Sequence, residues 1–467
     1  MIASTGSGCG KTTITCALLE LLKRHYDKVC SFKCGPDYID PMFHREILGV
    51  NAGNLDLFFS DEEQVREFFY RGNESEIGVV EGVMGLYDGL SPESDEASSY
   101  RLACALDIPV ILVVDAKGMG RSMLAVIRGF LDMDDEHRIK GVILNRMHKS
   151  YASKLAPVIE KELGVKVLGS MPVTENVLES RHLGLKLPHE KRDLERMMIE
   201  NSHILEDNLE LEKLLSFCEI KNVPALKTDI HELRGHEEII TEPPTETSAI
   251  PAANLITEPA EAVSRIAVAK DEAFCFIYEE NIRLLEKYGA KIVYFSPLKD
   301  HNLPEGTKGL ILYGGYPELY ADKLSENEAL LADIRQALQG GMPVLAECGG
   351  FMYLHEAIVT KEGREYPMAG FVKGRCRYTG HLVRFGYAAY KDEGHIFLPE
   401  GNDVIKGHEF HYYDSDAPGN GLKATKPGGK TFAAGYVSPS CVMGYQHLYY
   451  PSNPEFAIRF LNSVKLA

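Results

Sequence analysis

The chain has 467 residues, 45% apolar and 25% charged, an ordinary globular mixture with material for two or three domain cores. Its 50 Lys and Arg against 68 Asp and Glu leave a net charge of −18, which disfavours coating of nucleic acid or of an anionic membrane. No stretch approaches about 18 uninterrupted apolar residues, the start MIASTGSGCGKTT lacks the pattern of a signal peptide, and ten scattered cysteines without a CxxC pair suit reduced thiols. A cytoplasmic multidomain protein with neither a nucleic-acid nor a membrane partner is expected.

The first strand is short, Met1-Ile-Ala-Ser4, below the usual five or six residues, which leaves open a start further upstream. It runs into Gly6-Ser7-Gly8-Cys9-Gly10-Lys11-Thr12, followed by a helix with apolar residues at 14, 17, 18, 21 and 22. A Gly-rich loop ending in Lys-Thr before a helix lets backbone N–H groups approach phosphates, while Lys11 reaches the terminal phosphates and Thr12 can ligate Mg²⁺. The strict pattern has Gly where this chain has Thr5; the plain alternative is a Gly-rich turn.

Val29–Lys33, Ile77–Glu81, Val110–Asp115 and Gly141–Asn145 are short β-branched runs, as strands buried on both faces of a parallel sheet are. Alternation with helical patterns predicts a doubly wound α/β sheet, with functional residues at the strands' carboxyl ends. Lys33-Cys-Gly-Pro-Asp37-Tyr38-Ile-Asp40-Pro41 follows the second strand, and its two carboxylates beside a lysine could hold Mg²⁺ and orient an anionic substrate. Glu81 ends the next strand, where a nucleotide-bound Mg²⁺ finds a protein carboxylate; Asp88 and Asp115 are weaker candidates.

From Glu237 to Glu261 there are six acidic residues, no Lys or Arg, and prolines at 243, 244, 251 and 259, which predicts an extended linker. A second alternating pattern then starts at Ile266 and reaches Pro343-Val-Leu-Ala346. The expected division is residues 1–225 as a P-loop domain, 226–264 as the linker and 265–467 as a second α/β domain.

Ala346-Glu-Cys-Gly-Gly350 has the grammar of a nucleophile elbow, a strand, a sharp turn and a helix, which exposes Cys348 at a helix N-terminus where a thiol pKa falls. Candidate bases are His408, His411 and His447, and local spacing does not choose among them. Gly314-Gly315, after the strand Leu310–Tyr313, could supply backbone donors for an oxyanion.

The deviant P-loop, Gly35-Pro-Asp-Tyr-Ile-Asp-Pro41, Glu81-Gly-Val-Met-Gly85, Arg181-His-Leu-Gly-Leu185, Gly314-Gly-Tyr-Pro-Glu-Leu319, Glu347-Cys-Gly-Gly350 and His408-Glu-Phe-His411 occur in this order. Together they resemble the cobyrinate a,c-diamide synthase family of corrinoid biosynthesis. That resemblance implies two doubly wound α/β domains: an N-terminal P-loop NTPase-like parallel sheet, similar to dethiobiotin synthetase, and a C-terminal class I glutamine amidotransferase-like domain. It implies amidation of the a and c acetates of cobyrinate with glutamine and one ATP per amide. Gly6 to Thr12 would hold ATP as co-substrate; Thr12, Asp37 and Glu81 would hold Mg²⁺; and Lys33 would steady the transferring phosphate. Tyr38, Asp40, Gly314 and Gly315 would contact substrates, Cys348 would be the nucleophile, and His447 its base. Class I amidotransferases ordinarily carry Glu two residues after that His, where this chain has Tyr449. Sister reactions on hydrogenobyrinate or nickel-sirohydrochlorin share the motifs. A nucleotide switch of the MinD or ParA kind would usually carry a second lysine where Gly6 stands, and would not need Cys348. Homo-oligomerisation is open.

Overall fold

The computed structural model describes residues 1–71, 76–174, 188–218 and 264–466. The expected linker, apart from its last residue, and the Arg181–Leu185 motif lie outside them.

The β-branched runs of the first half form one seven-stranded parallel sheet. Its strands are β1 (Ile2–Ser4), β2 (Val29–Cys34), β3 (Asn51–Leu55), β4 (Ile77–Glu81), β5 (Val110–Asp115), β6 (Ile139–Asn145) and β7 (Lys166–Met171), in the order 3-2-4-1-5-6-7. Short as it is, β1 is buried throughout and hydrogen-bonds on both sides, with Ile2 opposite Glu81 of β4 and opposite Ile111 of β5. Three residues suffice because neighbours on both edges satisfy the backbone groups. Successive strands run from β1 outward through β5, β6 and β7 on one side, and occupy β4, β2 and β3 on the other. The carboxyl end of β1 is therefore the switch point, where crevices form in open α/β sheets. Helices α1 (Lys11–Leu22) and α2 (Ile39–Glu46) both start at that edge. The expected apolar residues at 14, 17, 18, 21 and 22 are all buried, but so are Thr15, Cys16 and Leu19, and α1 shares one core with Ile111 and Ile143 of the sheet.

The second half begins at Ser264, one residue inside the expected linker, with β8 (Ser264–Ala269), β9 (Ala290–Phe295), β10 (Gly309–Leu312) and β11 (Val344–Glu347). These pair in parallel, in the order 9-8-10-11, and Cys441–Gly444 adds a fifth parallel strand beside β11. Tyr436–Ser438 closes that edge in antiparallel fashion. Two smaller sheets, built between His355 and Leu448, had no signal in the alternation used on sequence. Their strands alternate buried and exposed residues and carry glycines at positive φ, such as Gly374 and Gly386, so they read as loops when the search is for fully apolar runs. Among the described residues no helix is long and apolar enough to cross a membrane.

The two halves meet through an aromatic seam. Tyr38 and Phe59 of the first half bury themselves against Tyr278 and Tyr449 of the second. The edges of the seam are polar: the Tyr387 hydroxyl donates to Asp56 Oδ2 at 2.8 Å, and the Asn54 N–H donates to Glu280 Oε1 at 3.2 Å.

Candidate active site

At the switch point the loop from Gly6 to Thr12 turns into α1 through Gly10, whose φ of 89° favours glycine and whose Cβ, if present, would lie 2.2 Å from Asn145 Nδ2. No side chain caps α1, so its first N–H groups are left for an anion. Lys11 is folded back over the loop, donating to Met84 O at 2.6 Å, Ser4 Oγ at 3.0 Å and Gly6 O at 3.4 Å. Burial, with the charge of Lys33 adding to it, lowers its pKa. Two residues absent from the sequence-based site brace the loop from the end of β6. Asn145 donates to Cys9 O at 2.8 Å, and Arg146 donates to Gly8 O at 2.7 Å while pairing with Asp115 at 2.9 Å. A polar pair ending a strand was the available signal.

Beside the loop lies a buried knot of charge. Lys33, opposite Glu81 across β2 and β4, donates to Glu81 Oε1 at 2.8 Å and to Asp40 Oδ2 at 2.5 Å, and Thr12 donates to the same Glu81 oxygen at 2.7 Å. Burial works against the Lys33 charge, but Glu81 and Asp40 outweigh it and raise its pKa. Burial likewise pushes Asp40 up, and the ion pair and hydrogen bond with Lys33 overcome this to hold it below the usual range. Glu81 is pushed up to about 7 by burial, partly offset by Lys33. Asp37 is placed differently: its Oδ1 accepts from the N–H groups of Ile39 at 2.8 Å and Asp40 at 3.3 Å, at the start of α2. The structure thus joins Thr12 to Glu81 directly and brings Asp40 to them through Lys33, with Asp37 capping the helix. Glu81 Oε2 is buried without a hydrogen-bond partner, with His44 Nε2 3.8 Å away. The Glu81 carboxylate, with Oε1 at the Thr12 hydroxyl and Oε2 unpartnered, fits Mg²⁺, which takes one or two protein oxygens and completes its shell with phosphates and water.

In the second half, β11 ends at Glu347, and Cys348 turns the chain at φ 47° and ψ −105° into the helix Gly349–Tyr353. Such a backbone is strained for a side chain bearing a Cβ, and it persists at sites where neighbours hold it. Here the Cys348 N–H donates to Gly444 O at 2.7 Å. A Cβ on Gly350 would lie 2.0 Å from Leu312 O, and one on Gly349 would lie 3.1 Å from the Gly315 nitrogen. One on Gly314 would lie 2.4 Å from His447 Cε1. Glycines therefore let the elbow, the Gly314-Gly315 turn and His447 approach one another. Of the three candidate bases, His411 is bonded to Glu409 at 3.0 Å and to Tyr413 O at 2.6 Å, and His408 faces the Tyr278 hydroxyl at 3.3 Å. His447 stacks on His408 at 4.9 Å and keeps its Nδ1 without a partner. The expected lowering of the Cys348 thiol pKa is overturned: burial, followed by nearby Glu318, pushes it up. A helix of one short turn carries little dipole, so desolvation wins. Burial also holds His447 well below its usual value. Gly315 and Tyr316 in the following turn are partly exposed and Leu319 is exposed.

The two sites lie on either side of the seam. Tyr38, next to Asp37, stacks on Phe276 at 5.3 Å, and its ring is 5.6 Å from His408 and 5.4 Å from His447. Tyr449, in place of the usual Glu, stacks on Phe59 at 4.9 Å.

Residues 1–186 match the family described as the CobQ/CobB/MinD/ParA nucleotide binding domain, and residues 265–453 match the CobB/CobQ-like glutamine amidotransferase domain. A cobyrinate a,c-diamide synthase of Caldanaerobacter subterraneus subsp. tengcongensis is 36% identical over 468 residues, covering 99% of this chain and 97% of its own. Those of Picrophilus torridus and Clostridium acetobutylicum are 37% and 38% identical, over 99% and 98% of this chain and 98% of each relative. Such identity across both domains, together with a phosphate loop and a thiol elbow sharing one seam, places the chain in the cobyrinate a,c-diamide synthase family of glutamine-dependent ligases.

Proposed function

We propose that this protein converts the a and c acetate carboxylates of cobyrinate to amides, using ammonia released from glutamine and one ATP per amide. The observation that carries the reading is Tyr38, which lies beside the carboxylates of the phosphate site and reaches to within 5.4 Å of the His447 ring. Residues 1–225 form the synthetase part, residues 265–467 the amidotransferase part, and residues 226–264 connect them.

A carboxylate is a poor acyl donor because amine attack would have to expel an oxide. In the first part a substrate carboxylate oxygen attacks the γ-phosphorus of ATP, ADP leaves, and an acyl phosphate forms. Lys11 and Lys33 stabilise the phosphoryl charge, and the unpartnered N–H groups of α1 hold the phosphates. Mg²⁺ held by Thr12 and Glu81 would add charge neutralisation there; Asp37, expected with them, has its Oδ1 taken by the start of α2, which leaves its second oxygen for the metal, and Tyr38 and Asp40 beside it would meet the substrate. In the second part Cys348 Sγ attacks the glutamine side-chain carbonyl carbon, His447 takes the thiol proton, and the Gly314-Gly315 turn stabilises the oxyanion. His447 returns that proton to the leaving nitrogen, which departs as ammonia, and water hydrolyses the thioester to glutamate. Ammonia then attacks the acyl phosphate and displaces phosphate. Free ammonia is mostly protonated in neutral water, so passage along the Tyr38 seam keeps it reactive.

The test is mass spectrometry of cobyrinate incubated with the protein, ATP, Mg²⁺ and either glutamine or an ammonium salt. Two successive carboxylate-to-amide changes are expected from both nitrogen sources. No change with cobyrinate, alongside turnover of hydrogenobyrinate or nickel-sirohydrochlorin, would transfer the reading to a sister macrocycle.

A further inference from the structure

His447 has no carboxylate partner in the usual place, since Tyr449 is turned into the seam against Phe59. The side chain that faces it is Glu347, the residue before the nucleophile. Glu347 Oε1 accepts a hydrogen bond from the Tyr450 hydroxyl at 3.2 Å. Its Oε2 is buried without a partner, 4.0 Å from His447 Nδ1, which is also buried without a partner. Their side chains are 4% and 2% exposed, so water does not reach either atom freely. An unpaired buried polar atom is costly, and here two complementary ones face each other slightly beyond bonding distance. Catalytic hydrogen bonds are often long before substrate binds and tighten in the complex. Among the described residues no other carboxylate is paired with this nitrogen: Glu409, whose charge also acts on His447, is engaged by His411, Tyr390 and Arg384. The second face of the imidazole is covered by His408, itself held at Nδ1 by Tyr278.

We infer that Glu347 is the positioning residue of the thiol site, accepting the Nδ1–H of His447 and so presenting the bare Nε2 to the Cys348 thiol. Burial pushes the Glu347 carboxyl up to about 8, and the imidazolium formed when His447 takes the thiol proton favours its charged form, so Glu347 then stabilises that imidazolium as a carboxylate. The catalytic carboxylate has thus moved from two residues after the histidine to one residue before the cysteine. The inference rests on the amidotransferase reading above.

The experiment measures glutamine hydrolysis and ammonia-driven amidation by the full chain as wild type, Glu347→Gln and Glu347→Asp. In Glu347→Gln the kcat for glutamine is expected to fall roughly 10²-fold or more, as when a base loses its orienting carboxylate, with KM within about twofold. Ammonia-driven amidation stays at the wild-type rate, and Glu347→Asp recovers part of the lost kcat. Normal kcat in Glu347→Gln, a change confined to KM, or no gain from Asp over Gln overturns the inference while leaving the amidotransferase reading intact. A wild-type chain that hydrolyses no glutamine overturns both. Should Glu347→Gln lose the ammonia reaction as well, ¹⁵N-histidine NMR of the wild type decides, with His447 identified by its loss in His447→Asn. A protonated Nδ1 with a bare Nε2 supports the assignment, and the opposite tautomer refutes it.

Discussion

Replacing Lys33 by methionine keeps the length of the side chain and removes a cation that pairs with both Asp40 and Glu81. All three side chains are buried, 5% exposed for Lys33, 7% for Asp40 and none for Glu81. Breaking a buried pair by removing one partner costs roughly 3–5 kcal/mol. At 2–4 °C per kcal/mol for a domain of about 200 residues, the melting transition of the first half should fall by about 6–20 °C at pH 8. The loss depends on pH, and its sign follows from the carboxyls. In the unfolded chain both ionise near ordinary values, 3.8 for Asp and 4.5 for Glu. In the folded protein Glu81 already sits at about 7 because burial raises it, and without Lys33 both carboxyls rise. The folded variant then binds more protons than the unfolded one, so its stability declines as pH rises through the folded values. At about 1.4 kcal/mol per unit for each group, moving from pH 8 to pH 6 should restore up to about 3 kcal/mol for each carboxyl that is protonated across that range. Calorimetry at the two pH values measures this, with Lys33→Arg as the charge-keeping control. A variant as stable as wild type at pH 8, or equally destabilised at both pH values, would refute the claim that Lys33 neutralises this knot.

Cys348→Ser should abolish glutamine-driven amidation and leave the ammonia-driven reaction near the wild-type rate; loss of both in the mass-spectrometric assay would argue against two separable sites. Tyr38→Ala opens the seam between Phe276 and the histidine pair. Glutamine hydrolysis should continue while ammonia escapes, raising the glutamine consumed per amide severalfold, and an unchanged ratio would place the passage elsewhere. Gly314→Ala puts a methyl group 2.4 Å from His447 Cε1 unless the ring shifts. It should lower glutaminase kcat at least tenfold with the ammonia reaction intact, a misplacement effect of the kind that positioning errors produce; normal kcat would free His447 from the turn.

The motifs legible in the chain are those whose geometry is local. Gly10 must take positive φ and let Asn145 approach, and Cys348 must stand just before two glycines at a strand-to-helix turn, so each signal lies within a few residues. Glu81 at the end of β4 was likewise readable, because a parallel sheet places its strands' carboxyl ends at one edge. Asp37 and Asp40 were not separable that way. Asp37 precedes α2 and accepts from its first N–H groups, whereas Asp40 lies inside its first turn and meets Lys33, a split set by where the helix begins and by a partner on β2.

His411 is taken up locally by Glu409 and Tyr413, whereas the bonding of His408 to Tyr278, the turning of Tyr449 into the seam, and the facing of Glu347 and His447 each depend on partners a hundred or more residues away. The same holds for the bracing of the phosphate loop by Asn145 and Arg146. The amino-acid order alone determined the two α/β halves, the phosphate loop and the thiol elbow, since these follow from backbone conformations and burial patterns encoded in short stretches. Which side chains complete each site was decided only by tertiary packing, because long-range burial settles which polar atoms keep a partner and which are left facing one another.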